Sequence, residues 1–221
     1  TEEYFIPAAA DLIEMPLDNY GIVVCNVDST NFKPYIQLLN TLNIPWVLFT
    51  DGDYYEIKVE KSKKTGNDKN VRVYHIIATG ADAHYKGNEN IRDILIELNF
   101  LEEEDIPSDF SKQDKLFKDI GCFIGEYTLE VDMMNNTDED GIEILKKVYD
   151  ELKPGGDEMQ ENFEEALDTE DYWSALRKID GNISKGRFAQ RLVDELIPEL
   201  VPNYINEGIE AIVQKVKDSY E

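Results

Sequence analysis

Apolar positions in the first third of the chain alternate between the spacing of helices and that of buried strands. Tyr4 to Ile13 has a helical pattern. Gly21 to Val27 (GIVVCNV) is a nearly continuous, β-branched apolar run, which predicts a strand buried on both faces. Phe32 to Leu42 follows as a helix whose predicted core face contains Tyr35, Leu38, Leu39 and Leu42.

Pro45 to Thr50 (PWVLFT) predicts a second buried strand that ends at Asp51. Helices and strands therefore alternate with short connections, and this order predicts an α/β fold with a parallel sheet. Further along, Lys58 to Lys69 is basic and predicts a mobile loop or the tip of a hairpin. Val71 to Ala78 is a further strand candidate, and Ile91 to Leu98 a further helix.

Glu102 to Asp109 is an acidic linker, and Gly121 to Met133 then has the pattern of an extended segment. The second half of that segment alternates, so polar side chains are expected on one side of a strand. These polar positions are Glu126, Thr128, Glu130 and Asp132.

The pattern becomes helical after Asn135, with breaks at Pro154-Gly155-Gly156 and Asp180-Gly181-Asn182. Five helices are predicted there: Gly141 to Leu152, Glu158 to Leu167, Tyr172 to Ile179, Lys185 to Leu196 and Asn203 to Asp218.

Composition narrows the class of protein. The 221 residues suit one domain with a substantial core, or a core with an appendage. No apolar run reaches the roughly 18 residues needed to span a bilayer, and the N-terminus lacks a signal-peptide pattern. Cys25 and Cys122 each lie in an apolar run, which predicts two buried free thiols. That usage indicates a reducing compartment, so we expect a cytoplasmic protein.

The net charge of −25 argues against strong nucleic-acid binding by this chain alone, because such binding relies on Lys and Arg. Two explanations remain open. Bound divalent cations would invert the field at one site, or the surface that grips nucleic acid lies elsewhere in a larger protein.

Asp51-Gly52-Asp53 is the strongest candidate site because it directly follows a buried strand. Ligands of parallel sheets gather at the carboxyl ends of the strands. Two acids at positions i and i+2 project to the same side of an extended segment, and their oxygens suit Mg²⁺, Mn²⁺ or Ca²⁺. The alternative is a plain Asp-Gly turn that leads into a hairpin.

Thr128 and Glu130 are a second pair at i and i+2, expected on the polar face of their strand. If this strand lies beside the one that ends at Asp51, the acids share a metal cluster, because a bridging cation offsets their repulsion. The alternative is a solvated edge strand.

Lys185-Gly186-Arg187 opens a helix after Ser184, where backbone N–H groups and bases favour an anion such as phosphate. The alternative is a simple Ser184 cap with solvated bases. Glu2 and Glu3 lie at the start of the first predicted helix, where the helix dipole by itself favours acidic residues. His75 and His84 lack a ligand-like spacing and receive no role.

Three blocks in order resemble the TOPRIM half of OLD-family ("overcoming lysogenisation defect") nucleases. The blocks are Asn31 to Asp53 (NFKPYIQLLNTLNIPWVLFTDGD), Gly125 to Val131 (GEYTLEV) and Lys185 to Gln190 (KGRFAQ). The resemblance covers most of the chain. It implies a TOPRIM-like parallel sheet flanked by helices in residues 1–135, a helical insert in 136–183, and C-terminal helices in 184–221 that return to the core.

The resemblance also implies roles for site residues. Asp51, Asp53 and Glu130 are metal ligands by this comparison, and Thr128 stands where the family places a small hydroxyl residue. Lys185 corresponds to a lysine near the scissile phosphate. Glu2 most closely matches the second glutamate of the family's first motif, with Glu3 as the adjacent alternative. The preceding Glu-Gly pair and its strand are expected upstream of Thr1, so this chain alone is expected to lack full activity.

The implied function is hydrolysis of DNA phosphodiester bonds with two Mg²⁺ or Mn²⁺ ions about 4 Å apart. The family further implies an upstream ATPase domain that mediates dimerisation in the intact protein. One alternative is another TOPRIM chemistry, strand passage or priming, which needs a nucleophilic tyrosine or a priming domain from elsewhere. The other is a non-catalytic, divalent-ion-binding interaction or regulatory domain, which the acidic charge favours.

Overall fold

The computed structural model describes residues 2–27, 29–61, 68–76 and 84–220. Its helices and strands alternate in the first half, and helices dominate the second. The N-terminal half contains α1 (Glu2–Leu12), α2 (Lys33–Thr41), β1 (Leu48–Thr50), β2 (Tyr54–Lys61), β3 (Asp68–Tyr74), β4 (His84–Tyr85), α3 (Lys86–Glu97), α4 (Phe110–Ile120) and β5 (Cys122–Ile124). The C-terminal half contains α5 (Leu129–Asn136), α6 (Glu139–Leu152), α7 (Asp157–Asp168), α8 (Tyr172–Asn182), α9 (Lys185–Leu192) and α10 (Asn203–Asp218).

The central sheet joins β1 and β5 in parallel, with Leu48 opposite Cys122 and Thr50 opposite Ile124. The predicted parallel α/β arrangement is therefore confirmed. Side chains of β1 alternate between two apolar clusters, since Leu48 packs with one and Phe49 with the other. Helices consequently cover both faces of this sheet, as expected for strands in a parallel pair.

The first apolar cluster lies between the sheet, α1 and the C-terminal helices. It buries large side chains from α1, α6, α7, α9 and α10, among them Phe5, Tyr149, Phe163, Phe188 and Ile209. The second cluster lies under α2, α3 and α4 and includes Trp46, Ile91, Leu95, Phe117 and Cys122. The predicted helices of the C-terminal half are confirmed, and they share one continuous core with α1.

The prediction of a buried strand at Gly21 to Val27 is wrong. The segment has no regular secondary structure and pairs with no strand among the described residues. Ile22 and Val24 pack against the first apolar cluster and Val27 against the second, whereas Val23 is 85% exposed. A strand buried on both faces needs cover along both sides, and here Val23 is left open to solvent. Cys25 is exposed for the same reason, which corrects its expected burial, while Cys122 is buried and both thiols are free.

The prediction of one extended segment from Gly121 to Met133 is also wrong. Only Cys122–Ile124 is a strand, and the chain then turns at 125–128 and enters α5. The polar face expected from the alternation does not exist, because α5 is buried nearly all round. Its buried residues include Glu130 and Asp132 as well as Leu129, Val131, Met133 and Met134. A helix without a solvent face has no 3.6-residue pattern, so two-residue alternation arose by chance.

Helix α2 matches its predicted position but buries a different face. Ile36 and the preceding Phe32 are buried, whereas Tyr35, Leu38 and Leu42 are 45%, 57% and 57% exposed. Helix α4 and most of β2 were not predicted. Antiparallel pairing of β2 with β3 confirms a hairpin in the basic region. Its tip at residues 62–67, and the end of the predicted strand at 77–78, lie outside the described residues. No helix of the described part is long and apolar enough to cross a membrane.

The different exposure of the two thiols gives a direct test of this fold. We expect a thiol reagent to modify Cys25 in the native protein and to leave Cys122 unmodified, since burial raises the pKa of Cys122 to about 12. Counting modified thiols before and after adding denaturant checks this. Cys25→Ser should abolish the native reaction, and rapid labelling of Cys122 in the folded Cys25→Ser variant would contradict the packing described above.

Candidate active site

The loop Asp51-Gly52-Asp53 leaves β1 at the carboxyl end of the parallel pair, where ligands of such sheets bind. Backbone hydrogen bonds hold it between two other segments. Gly52 N donates to Tyr127 O at 2.9 Å, and Gly87 N donates to Gly52 O at 2.9 Å. The loop therefore lies between the 125–128 turn and the start of α3.

Gly52 and Gly87 allow a close approach of backbones that other residues would block. A Cβ on Gly52 would lie 2.1 Å from Gly125 O, and one on Gly87 would lie 2.1 Å from Asp51 O. Both neighbouring atoms belong to the main chain, so neither can move aside by a side-chain rotation. The glycine of the Asp-Gly-Asp motif thus serves packing between segments rather than an unusual φ angle.

Asp51 lies at the N-terminus of α5, where its Oδ1 accepts a hydrogen bond from Leu129 N at 3.2 Å. A carboxylate there is favoured by the unpaired N–H groups and by the helix dipole. Burial nevertheless raises the pKa of Asp51 to about 8, and the nearby Glu130, Glu2 and Asp53 carboxylates add to the rise. Lys185 opposes it. Asp51 therefore lies in a buried, predominantly negative surrounding.

Glu130 and Lys185 form an ion pair across the site, with Nζ 3.1 Å from Oε2. The Glu130 side chain is 5% exposed and that of Lys185 37%. Burial lowers the pKa of Lys185, but the Glu130 and Asp51 carboxylates outweigh it and raise this pKa above its usual value. Ser184 caps α9 by accepting a hydrogen bond from Arg187 N, which places Lys185 at the first position of the helix.

Asp53 adopts a left-handed backbone with φ of 51°, and its pKa is raised by burial but lowered by His75 and Lys185. His75, given no role by the sequence, therefore lies close to the site. Its ring packs against the Trp173 indole at a tilt of 30°, with centroids 4.6 Å apart. Trp173 comes from α8, so a helix of the C-terminal half contributes to the wall beside Asp53.

Glu2 and Thr128 complete the predicted set. Glu2 is half-buried and close enough to raise the pKa of Asp51, whereas the neighbouring Glu3 is exposed. Thr128 does not lie on a strand, as predicted, but at the N-cap of α5. Its Oγ1 is buried and has no hydrogen-bond partner among the described residues. The structure thus brings Glu2, Asp51, Asp53, Glu130 and Lys185 together, with Thr128 at the adjoining helix start.

Two further residues near these acids were missed. Asp132 is 1% exposed, although the sequence placed it on a polar strand face. Tyr204, from the first turn of α10, has a pKa raised by burial and by the Asp132, Asp51, Glu2 and Glu130 carboxylates. Its ring lies beside Gly125, since a Cβ there would be 3.2 Å from two ring atoms. Only the folded chain brings α10 to this position, so no local signal identified Tyr204.

The donor set fits a divalent cation. Carboxylates and a hydroxyl are the hard oxygen ligands that Mg²⁺ and Mn²⁺ prefer, and the unpartnered Thr128 Oγ1 is a spare donor. Among the described residues, no group of three or more His, Cys, Asp and Glu side chains lies close enough together to hold a metal ion. Lys185 is the cation that offsets the cluster in this structure, through its contact with Glu130.

Comparison with known proteins points to the same family as the sequence motifs. Residues 1–53 match the family described as "Overcoming lysogenization defect protein-like, TOPRIM domain". The chain is also 26% identical over 166 residues to Endonuclease GajA of Bacillus cereus (strain VD045), covering 70% of this chain and 26% of that protein. It therefore spans about a quarter of the length of that curated relative.

Two solved structures resemble nearly the whole chain. The C-terminal region of the Burkholderia pseudomallei OLD protein aligns with a TM-score of 0.71 at 27% identity, covering 97% of this chain and 93% of that one. The C-terminal region of the Xanthomonas campestris pv. campestris OLD protein gives 0.72 at 26% identity, covering 99% and 92%. The resemblance to OLD-family TOPRIM domains, and the TOPRIM-like fold, are confirmed.

The tight approach at Gly52 predicts a large effect of adding one methyl group. We expect Gly52→Ala to lower the free energy of unfolding by about 1–3 kcal/mol, because a backbone segment must move. Gly181→Ala is the matched control: no atom lies within 4 Å of its added Cβ, and alanine favours the helix. Urea unfolding of both variants checks this, and equal stabilities would contradict the packing at Gly52.

The raised pKa of Asp51 predicts a pH dependence of the metal-free protein. A carboxyl whose pKa rises from 3.8 to about 8 binds its proton more tightly in the folded state. Its contribution to stability is therefore present below about pH 4 and is lost as the pH rises to about 8. Urea unfolding in EDTA should show that the free energy of unfolding falls less between pH 5.5 and 8.5 for Asp51→Asn than for the parent.

Asp138→Asn is a charge-matched control for this pH effect, because Asp138 caps α6 instead of lying among the acids around Asp51. It should retain the pH dependence of the parent. The assigned environment of Asp51 is wrong if both Asn variants show identical pH profiles.

Proposed function

We propose that this chain is a metal-dependent nuclease domain that hydrolyses DNA phosphodiester bonds. The observation that carries the proposal is the group Asp51, Glu130 and Lys185 at the carboxyl end of β1, in a fold similar to the C-terminal regions of OLD proteins. Acids and one lysine at such a position suit binding of cations and phosphate together. The likeness to a protein named as an endonuclease supports the same class of reaction.

In this proposal Glu2, Asp51, Asp53, Thr128 and Glu130 hold two Mg²⁺ or Mn²⁺ ions. When bound, the ions supply activation of a water and stabilisation of the leaving oxygen. The fold holds the carboxylate ligands on rigid supports. Asp51 is held by its hydrogen bond from the first residue of α5, Glu130 by burial within α5, and Glu2 by its place in the first turn of α1. Such support is what a site needs to keep a productive geometry.

Lys185 binds a phosphate oxygen and offsets the negative charge that develops there during hydrolysis. Its side chain is 37% exposed, so a substrate can reach the ammonium while Glu130 holds it in place. The raised pKa of Lys185 keeps it protonated throughout the physiological range. Glu130 therefore has two roles in the proposal, as a metal ligand and as the group that orients Lys185.

The proposal includes a division of the chain into three parts. We assign residues 1–135 to the TOPRIM core, 136–183 to a helical insert, and 184–221 to helices that return to the core. Support comes from two contacts: Lys185 reaches Glu130, and Trp173 of the insert packs against Tyr127 and His75. In this assignment the insert also forms part of the site wall.

The net charge of −25 sets a limit on DNA binding by this chain alone, since phosphate binding depends on Lys and Arg. We therefore propose that DNA is gripped with help from the remainder of a larger protein. That remainder includes an ATPase domain and mediates dimerisation. The structures of C-terminal regions of OLD proteins are consistent with such a division, because they come from proteins with further sequence upstream.

Cleavage of supercoiled plasmid tests the proposal. The substrate is incubated with this chain, alone and with a preceding strand that ends in Glu-Gly, in Mg²⁺, Mn²⁺ or EDTA. We expect metal-dependent nicked and linear products once the strand is present, and at least a 100-fold lower rate for Asp51→Asn because a ligand is lost. Lys185→Gln should lower the rate by about 10²–10³ while metal binding persists, because it removes one stabilising charge.

Lys147→Gln is the control for loss of a positive charge, because this exposed lysine lies on α6 and pairs with Glu195. It should cleave like the parent. Metal-induced stabilisation without any cleavage would instead favour a non-catalytic, divalent-ion-binding module. Products with altered linking number and no net breakage would favour strand passage.

A further inference from the structure

Asp132 is a buried carboxylate with a specific set of partners. It lies in α5, is 1% exposed, and accepts a hydrogen bond at Oδ1 from Tyr127 N at 3.0 Å. Its other oxygen, Oδ2, has no hydrogen-bond partner among the described residues and packs against Gly125, where a Cβ would lie only 2.4 Å away.

These contacts fix the conformation of the 125–128 turn. The Tyr127 N–H of the turn donates to the buried carboxyl group of Asp132, and a hydrogen bond between buried groups is costly to lose. Gly125 N also donates to Thr50 O at 2.9 Å, which ties the turn to the end of β1. The turn is thereby held from both sides.

The same turn positions the two aspartates of the Asp-Gly-Asp loop. Tyr127 O accepts hydrogen bonds from Gly52 N at 2.9 Å and Asp53 N at 3.5 Å. At the other end of the turn, Leu129 N donates to Asp51 Oδ1. A displacement of the turn therefore moves the backbone of Asp53 and the side-chain partner of Asp51 at once.

Burial of this carboxylate is costly, since a buried charge needs pairing or hydrogen bonds to offset the loss of water. Among the described residues no lysine or arginine forms an ion pair with Asp132. An apolar side chain in its place would fill α5 without that cost but would leave the Tyr127 N–H unpaired. The placement points to a function in holding the turn.

We propose that Asp132 is a positioning residue for the metal site: it holds the 125–128 turn in the conformation that orients Asp51 and Asp53. This inference rests on the proposed function, because it concerns how the same carboxylates are presented to a divalent ion. Loss of such supporting contacts typically costs about 10–100-fold in metal affinity.

Mn²⁺ binding measured by calorimetry on the full chain tests this role. Since 47 acids give background binding, site-specific binding is defined as the part that Asp51→Asn removes. We expect Asp132→Ala to weaken that part about 10–100-fold. Asp132→Asn keeps an acceptor at Oδ1 and should restore most of the affinity, to within about threefold of the parent, as a role in hydrogen bonding requires.

Asp138→Ala is the matched control, because Asp138 also accepts a backbone hydrogen bond, from Gly141 N at 3.1 Å, but caps α6. It should lower thermal stability and leave Mn²⁺ affinity within about twofold of the parent, since a lost cap weakens only its helix. Gly125→Ala gives a second route, because its Cβ would collide with Asp132 Oδ2 while the carboxylate remains. It should weaken Mn²⁺ binding as Asp132→Ala does.

The outcomes separate this inference from the proposed function. If Asp51→Asn removes no Mn²⁺ binding from the parent, the proposed metal site fails. If the parent has site-specific binding and both folded variants, Asp132→Ala and Gly125→Ala, retain it, the positioning role of Asp132 is overturned. The positioning role is likewise overturned if Asp138→Ala also weakens Mn²⁺ binding and each variant loses affinity in proportion to its loss of stability.

Discussion

The site depends on close contact between two backbone segments, the Asp-Gly-Asp loop after β1 and the turn after β5. Gly52 meets the carbonyl oxygens of the turn so closely that a single methyl group has no room. The parallel pairing of β1 with β5 brings both segments to one edge of the sheet, and hydrogen bonds across the contact then fix their relative position. Asp51 and the N-terminus of α5 are joined as a direct result, so that strand pairing, helix start and site geometry form one unit.

The edge of the sheet that carries Asp51 brings several carboxylates close together. Burial and neighbouring carboxylates disfavour the charged form of Asp51, while Lys185 supplies the nearest compensating charge through Glu130. Packing energy from two apolar clusters supports this arrangement, because repulsion among the acids opposes folding at the site. A binding site that stores repulsion between ligands is suited to cations, and its stability is expected to depend on what occupies it.

The helical second half of the chain does more than cover the sheet. Trp173 of α8 packs against His75 and Tyr127, Lys185 of α9 reaches Glu130, and Tyr204 of α10 lies beside Gly125. Helix α10 approaches β1 so closely at Gly208 that a Cβ would lie 2.2 Å from the Phe49 ring. Residues far apart in sequence therefore enclose the carboxylates from several directions, and the similarity to OLD C-terminal regions extends over this whole assembly.

Local patterns in the sequence determined the helices of the second half, the strand β1 and the acids after it, since periodicity and position relative to a strand are properties of short segments. The resemblance to OLD nucleases added the expected roles of these candidates and the match of Glu2. Tertiary structure alone decided which face of α2 is buried, that residues 129–136 form a helix and that Gly21 to Val27 pairs with no strand in the described part of the chain. It also decided the positions of Asp132, Tyr204 and His75 beside the site, because burial on all sides hides helical periodicity and contacts between distant segments leave no trace in local spacing.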